Sequence, residues 1–352
     1  MGCCLVTTGP GGTNALTGVA AAWYDSIPVL FISGQVTTTT LMEGTRLRQR
    51  GVQETDIVSI VESVTKSAAT LEAAEDIQYA LKFAIHHAMT WRPGPAWLDI
   101  PLDLQGKRVD PMALDEFGLF GGITFTLSIE PVLQLLRAAQ RPVLIAGNGI
   151  RLAGAADAFR KLVAALGIPV VTSWGAADML TSEHPLHIGH CGIFGDRASN
   201  FAVQNADLLL VIGCRLSIPQ TGYNLDTFAR AAKIIMVDMD QAEIDKLGAK
   251  VTLQVKADAG AFIVALLDTG FGCHALDDVR SWRKRCLQWK ARYPVVTDEQ
   301  RNATGAVNSY VFIQELSSRL PDDAIVVTDA GTAYTCTWQA AKMKLGQRWI
   351  FP

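Results

Sequence analysis

The sequence predicts an α/β protein built on doubly wound parallel sheets, and three observations carry that prediction. The first is the run from Cys4 to Val36: an apolar strand, a glycine-proline turn, a helix of small residues and a second apolar strand, together a β-α-β unit. The second is repetition, because Pro142 to Ala146, Ile168 to Thr172, Leu208 to Ile212 and Ile234 to Val237 are short apolar runs set between helical stretches. Strands covered on both faces read this way, and their alternation with helices gives a parallel sheet with right-handed crossovers. The third is composition: 49% of the 352 residues are hydrophobic, 18% are charged and 30 are glycine, which describes a well-buried chain rather than a disordered one.

In chain order, Leu5 and Val6 lead through Thr7 and Thr8 into Gly9-Pro10-Gly11-Gly12, where the backbone can turn tightly and approach a ligand. Thr13 and Asn14 are read as opening the helix. Its continuation from Ala15 to Trp23 has few large side chains and can lie close against a sheet, and Pro28 enters the strand Val29 to Ile32. Thr37 to Gly51 is polar and arginine-rich, as a surface or lid loop would be. Ile77, Leu81, Ala84 and Ile85 support a helix from about Ala74 to Ala88, and Arg92-Pro93-Gly94-Pro95 turns into the strand Ala96 to Ile100. Leu102 to Leu127 lacks sustained periodicity and reads as a linker.

Ser128 is expected to cap a helix carrying Val132, Leu135 and Leu136. The strand Pro142 to Ala146 runs into Gly147-Asn148-Gly149, and a helix follows over Ala155 to Leu166. Asp277 to Tyr293 reads as a basic helix that packs Trp282 and Trp289 on a neighbour and leaves its charges in solvent. A last unit begins near Asn308, with a helix through Leu320, a strand Ile325 to Thr328 and the turn Asp329-Ala330-Gly331-Thr332.

Several function classes are disfavoured. The formal charge of -3 offers no whole-chain attraction for nucleic acid or anionic lipid. No apolar run approaches the roughly 20 residues that span a bilayer, so the expectation is a cytoplasmic protein without membrane partners. The seven cysteines form no Cys-x-x-Cys pair and read as reduced, mostly buried thiols. His184, His187, His190 and Cys191 lie close together, but Pro185 interrupts any helix that would align them, so they read as a loop cluster and no metal ligand is assigned.

Two glycine turns are candidate ligand sites. Gly9 to Asn14 nearly satisfies a dinucleotide fingerprint, with Asn14 where the third glycine would stand; a bare structural turn explains it equally well. Gly147-Asn148-Gly149 follows a strand and precedes a helix, but the nearest strand-end acid, Asp238, lies far beyond the about 20 positions of a standard NAD unit. Either a nucleotide lies across the strand ends near Gly213, Arg215 and Asp238, or the sheet simply has glycine turns.

The run Val6 to Val36 resembles the pyrimidine-domain signature of thiamin-diphosphate (ThDP) enzymes of the acetohydroxyacid synthase (acetolactate synthase) group. Gln53-Glu54 with Asp56-Ile57, Arg92 to Pro95 and Leu98-Asp99-Ile100-Pro101 recur there in the same order. Pro142-Val143-Leu144, Gly147 to Gly149, His184-Pro185-Leu186, Ala206 to Leu209, Gly213-Cys214-Arg215 and Asp238 to Ile244 resemble the same family's central domain. The resemblance implies residues 1-108 as the later part of a pyrimidine domain, 109-127 as a linker, 128-275 as a complete Rossmann-like central domain, 276-305 as a linker helix and 306-352 as the start of a diphosphate domain.

It implies a ThDP- and Mg2+-dependent enzyme that decarboxylates a 2-keto acid such as pyruvate and transfers the acyl-carbanion unit to a second carbonyl. Pro10, Gly11 and Asn14 would lie against the pyrimidine ring, Gln53 would face the reacting centre, and Gly331 and Thr332 would stand near the diphosphate. The central domain often holds FAD in this family, beside positions matching Arg92, Gly147, Asn148, Gly149, Thr172, Arg215 and Asp238. A homodimer or homotetramer is implied, since the family's cofactor lies between subunits. The activating glutamate and the Gly-Asp-Gly metal motif are expected outside these residues, so the chain by itself is expected to be inactive.

Three departures from the group bear on substrate and ligand: Gly51-Val52 before the glutamine, Gly331-Thr332-Ala333 near the diphosphate, and Arg215-Leu216-Ser217-Ile218 in the central domain. The alternatives are a non-catalytic nucleotide- or FAD-binding module and a 2-keto acid decarboxylase that does not ligate.

Overall fold

The computed structural model describes residues 1–112, 114, 117–118, 126–272 and 279–351. The chain divides into two units, Met1–Thr124 and Phe125–Pro352.

The first unit holds β1 (Gly2–Val6), β2 (Val29–Gln35), β3 (Ser67–Thr70) and β4 (Ala96–Pro101), all parallel in the order β1-β2-β4-β3. Neighbouring residues of a strand serve opposite faces. Phe31 joins Val19, Ile57, Val61 and Trp97 on one side, while Leu30 joins Ala84, Ala88 and Ala96 on the other. Phe31 stacks on Trp97 with ring centroids 5.3 Å apart.

The first helix runs Pro10–Tyr24 and so begins before Thr13, where it was expected. Gly9 takes φ 62 outside the helix, and Pro10 starts it because its fixed φ suits the first turn and its missing N–H would lack a partner there anyway. The expected helix near Ala74 is a 3-10 turn, Ala74–Asp76, continued by Ile77–Met89. Leu102–Gln105 forms one helical turn inside the stretch read as linker. Much of the remaining linker, residues 113, 115, 116 and 119–125, lies outside the described residues.

The second unit holds β5 (Pro142–Ala146), β6 (Val170–Thr172), β7 (His187–His190), β8 (Leu208–Ile212), β9 (Lys233–Asp238) and β10 (Leu253–Lys256). They form one parallel sheet in the order β10-β9-β8-β5-β6-β7. Leu144 and Leu210 pack with Leu136, Phe159, Leu162 and Phe262 on one face; Val143, Ile145 and Val211 pack with Ala202, Trp282 and Cys286 on the other. Helices therefore cover both faces, as a doubly wound sheet requires. Strand order reverses between β5 and β8, and ligands of such sheets bind at that crevice.

Two local expectations are corrected. Ser128 does not cap the next helix: it runs Glu130–Ala138 after Ile129, with no side-chain cap and Pro131 fixing its first turn. Of the histidine cluster read as a loop, His187 and His190 lie in a buried strand at the sheet edge, His187–His190, while His184 and Cys191 stand outside it. The helix expected at Asp277 is described from Val279 to Arg292; Asp277 itself is outside the described residues. Within that helix Trp282 donates its indole N–H to the Pro142 carbonyl at 3.1 Å, and Trp289 packs edge-on against Trp282 and Phe201.

Past this helix, Asn308 caps the helix Ser309–Arg319, and β11 (Ile325–Val327) pairs in parallel with β12 (Arg348–Ile350) around the helix Thr332–Ala340. These elements join the second unit through Ala177, Tyr334, Trp338 and Trp349, which pack together. The buried Asp178 carboxylate links them further: it accepts from Arg151, from Arg348 Nη1 at 3.0 Å and from the Trp349 backbone N–H at 2.9 Å.

Candidate cofactor sites at the strand ends

In the first unit Pro10, Gly11, Asn14 and Gln53 gather beyond the carboxyl ends of β1 and β2, whereas Arg92 precedes β4 at its amino end. A Cβ built on Gly9 would stand 2.2 Å from the Gln53 carbonyl oxygen, so the glycine turn and Gln53 are in direct backbone contact. A Cβ on Gly11 would come within 2.8 Å of Thr7, and one on Gly12 within 3.1 Å of Ile57. Only bare backbone fits along this wall, with Pro10 and Asn14 exposed beside it.

Gln53 itself is exposed and takes φ 60, a left-handed conformation that side chains other than glycine's disfavour by about 1–2 kcal/mol. Its neighbour Glu54 holds it there. The buried Glu54 carboxylate accepts backbone N–H bonds from Arg50 and Gly51, both at 2.8 Å, and from Met42. Burial pushes the Glu54 pKa up, but the bonds from Gly51, Met42 and Arg50 together with the Arg50 charge outweigh it and hold the carboxyl below its usual value. The Gln49 side-chain oxygen, oriented as its partners require, accepts from the Gln53 N–H at 2.9 Å.

Behind this contact lies a polar network that sequence reasoning missed. Gln35 accepts from the Thr8 hydroxyl at 3.0 Å and the Val36 N–H at 2.8 Å. It donates to the Thr55 carbonyl at 3.0 Å and to Asp99 Oδ2 at 2.9 Å. Asp99 also accepts from the Ser33 hydroxyl, which in turn receives the Trp97 indole N–H at 2.9 Å. One amide thus ties Thr8, just before Gly9, to Thr55, just after Gln53. No spacing rule could find it, because its members come from separate strands.

Burial pushes the Asp99 pKa up to about 6, against the pull of the Ser33 and Gln35 bonds. A raised carboxyl favours the fold when protonated, so this contribution is complete below about pH 4 and disappears as pH rises through about 6. The full difference is roughly 3 kcal/mol. The expected result is that Asp99→Asn removes this pH dependence, seen as a smaller difference between urea midpoints at pH 4.5 and pH 7.5 than in the parent. Equal differences in the two proteins would refute it.

In the second unit the switch point between β5 and β8 is closed glycine on glycine. A Cβ on Gly147 would meet the Gly213 oxygen at 2.0 Å and Cys214 Cα at 2.4 Å, and the Gly149 N–H donates to the Gly213 carbonyl at 2.9 Å. Gly213 N–H donates to Val237 at 2.9 Å, which brings Arg215 and the β9 terminus, Asp238, to the same end of the sheet. Asn148 Oδ1 and Arg151 Nε are buried here without a hydrogen-bond partner, and Gly175 packs directly on Asn148. Buried polar atoms left in this state fit a polar ligand at the crevice.

Thr172 ends β6 in the same sheet but is fully buried, with its hydroxyl 2.8 Å from His190 Nδ1 and 3.3 Å from His187 Nε2. It backs the crevice rather than lining it. Burial pushes the His190 pKa down to about 3 and that of His187 well below its usual value; the Lys290 charge acts in the same direction on both. Among the described residues no group of three or more His, Cys, Asp or Glu side chains could hold a metal ion. Gly331, at φ 78, and Thr332 begin the helix Thr332–Ala340, and Thr328 Oγ1 just before them is buried without a partner. Arg92, in the first unit, donates to the Ser26 hydroxyl at 2.8 Å.

Two family sequence models match the chain: "Thiamine pyrophosphate enzyme, N-terminal TPP binding domain" over residues 1–60 and "Thiamine pyrophosphate enzyme, central domain" over residues 129–266. Among similar proteins, the acetolactate synthase large subunit of Corynebacterium glutamicum is 36% identical, over 99% of this chain and 55% of its own length. The acetolactate synthase isozyme 2 large subunit of Escherichia coli is 33% identical, over 94% of this chain and 57% of its own, and the chloroplastic acetolactate synthase 1 of Zea mays 32%, over 99% and 54%. The chain spans about half the length of the curated relatives it matches. With both family domains matched in order and these likenesses running along nearly all of it, the chain belongs to the thiamine pyrophosphate enzymes.

Proposed function

We propose that this chain forms part of an acetolactate synthase-like enzyme, in which a 2-keto acid such as pyruvate is decarboxylated and the resulting acyl unit is added to a second carbonyl. The observation that carries this is the backbone contact between Gly9 and Gln53 at the strand ends of the first unit. It sets a wall without side chains beside a strained residue whose amide is free to face a reacting centre.

ThDP, when bound, supplies the carbon nucleophile for this chemistry. The protein's part is posture. In this reading Gly11 leaves the wall low enough for a flat ring, Pro10 and Asn14 flank that ring, and Gln53 orients the substrate carbonyl. Glu54 and Gln35 keep those parts in register through the bonds described above. Gly331 and Thr332 are assigned to the diphosphate edge, which the unpartnered Thr328 hydroxyl fits. Mg2+ would accompany the diphosphate, but no residue of this chain is assigned to it. The intact enzyme is read as a cytoplasmic homodimer or homotetramer.

A nucleotide such as FAD is proposed at the central crevice, with Gly147, Asn148, Gly149, Arg215 and Asp238 around it and Thr172 behind it. The unpartnered Asn148 and Arg151 atoms favour this, and they equally favour a nucleotide-binding module without chemistry. One assay separates the two: 2-keto acid consumption by the protein carrying this sequence, with and without added ThDP. Consumption that requires ThDP, and falls about 10- to 100-fold in Gln53→Ala with unchanged circular dichroism, is the expected result. Tight ADP or FAD binding with no ThDP-dependent turnover would leave only the module.

A further inference from the structure

The loop that leads into Gln53 carries three arginine charges, of which only that of Arg50 acts within the fold, on the Glu54 carboxyl. Arg46, Arg48 and Arg50 are all exposed, and none of their side chains makes a hydrogen bond or ion pair among the described residues. The nearby carboxylates are engaged elsewhere: Glu54 on the N–H groups of Met42, Arg50 and Gly51, Asp103 on Thr38, and Asp56 on Ser59. Glu43 at the loop's start is the one acid within it.

The loop is nevertheless held at its base. Glu54 gathers both ends, Met42 on one side and Arg50 with Gly51 on the other, and Gly51 packs so closely on Val36 that a Cβ would meet it at 2.6 Å. Thr45 makes two bonds back to Met42, through its N–H at 2.9 Å and its hydroxyl at 2.6 Å. The Gln49 side chain accepts from Gln53 N–H. A segment anchored in this way fixes the backbone that carries the arginines next to Gln53. Guanidinium groups match carboxylate and phosphate oxygens in two-point contacts and are less strongly hydrated than ammonium groups.

We propose that residues 45–50 form an anion-recognition arm that selects substrates bearing a second oxyanion, carboxylate or phosphate, beyond the carboxylate every 2-keto acid carries. This rests on the assignment of Gln53 to the reacting centre and adds the class of substrate that reaches it. The arm acts from the surface, so its effect falls with ionic strength as screening shortens to about 8 Å in physiological salt.

The test is a ligand-observed NMR titration of the intact protein that carries this sequence, with Mg2+ present, using 2-ketoglutarate, pyruvate, glyceraldehyde 3-phosphate and glyceraldehyde at low salt. At least one doubly charged or phosphorylated ligand is expected to bind 10-fold or more tighter than its simpler counterpart. Which pair shows the preference tells carboxylate from phosphate. In R46Q/R48Q/R50Q the preference should shrink to within twofold, and 0.3 M salt should reduce it in the parent. No preference in either pair, or one that survives in the triple variant, overturns the proposal; the variant's circular dichroism melt confirms that it folds. ThDP is titrated in parallel: failure of ThDP to bind while the anion preference stands counts against the ThDP reading alone, and ThDP binding without the preference counts against the arm alone.

Discussion

Replacing Asp178 with alanine is expected to destabilise the second unit by about 3–5 kcal/mol, the range for removing one partner of a buried charge cluster. Three donors converge on this carboxylate, from Arg151, Arg348 and the Trp349 backbone. Without it, two guanidinium groups face each other across a buried space, and the Trp349 N–H loses its acceptor. Burial already pushes the Arg151 pKa down, with the Arg348 charge adding to that effect and Asp178 opposing it. Asp178→Asn keeps an acceptor and should lose less. Urea unfolding followed by tryptophan fluorescence measures both, and a loss below about 1 kcal/mol for the alanine variant would show that the cluster is not what joins β12 to the sheet domain.

The second large effect is expected at Gly9. Gly9→Ala puts a Cβ 2.2 Å from the Gln53 carbonyl oxygen at a position with φ 62. The left-handed backbone alone costs about 1–2 kcal/mol. The steric conflict is worse, because Gln53 is itself held at φ 60 and has little room to yield. ThDP-dependent turnover should fall by about 100-fold, since displacements of about 1 Å near a reacting centre have effects of that size. Gly18, in the same helix with nothing within 4 Å of its built Cβ, supplies the control. Gly18→Ala should stabilise the protein by about 0.5–1 kcal/mol and leave turnover intact. If the two variants behave alike, the Gly9–Gln53 contact has no part in activity.

What could be read from the sequence follows from how each element is stabilised. Pro142–Ala146 and Leu208–Ile212 have the bounds expected of them, because strands covered on both faces need unbroken apolar runs and show them. His187–His190 was unreadable as a strand: its polar residues are tolerated only because Thr172 partners both rings and the Lys290 ammonium group donates to the His187 carbonyl at 2.7 Å. Ser67–Thr70 and Leu253–Lys256 are sheet-edge strands, short and partly exposed, and lack the hydrophobic signal of central ones. In the candidate site, the Pro10 to Asn14 turn was visible as glycine and proline chemistry, and Gln53 through resemblance alone. The positive φ of Gln53, the three-point grip of Glu54 and the Gln35–Asp99 network were not visible, since each depends on tertiary partners that only the folded chain brings together.

The purely parallel pairing of both large sheets also bears on how the molecule reaches this state. Among the described residues no strand finds its partner through a tight hairpin; Cys3 must meet Leu30, and Leu30 must meet Ala96, before either face of that sheet can close. Loop-closure entropy is therefore lost before the compensating contacts form, which places this chain among slow folders with high contact order. The same wiring makes opening cooperative, because a central strand such as β8 cannot leave without releasing β5 and β9 together.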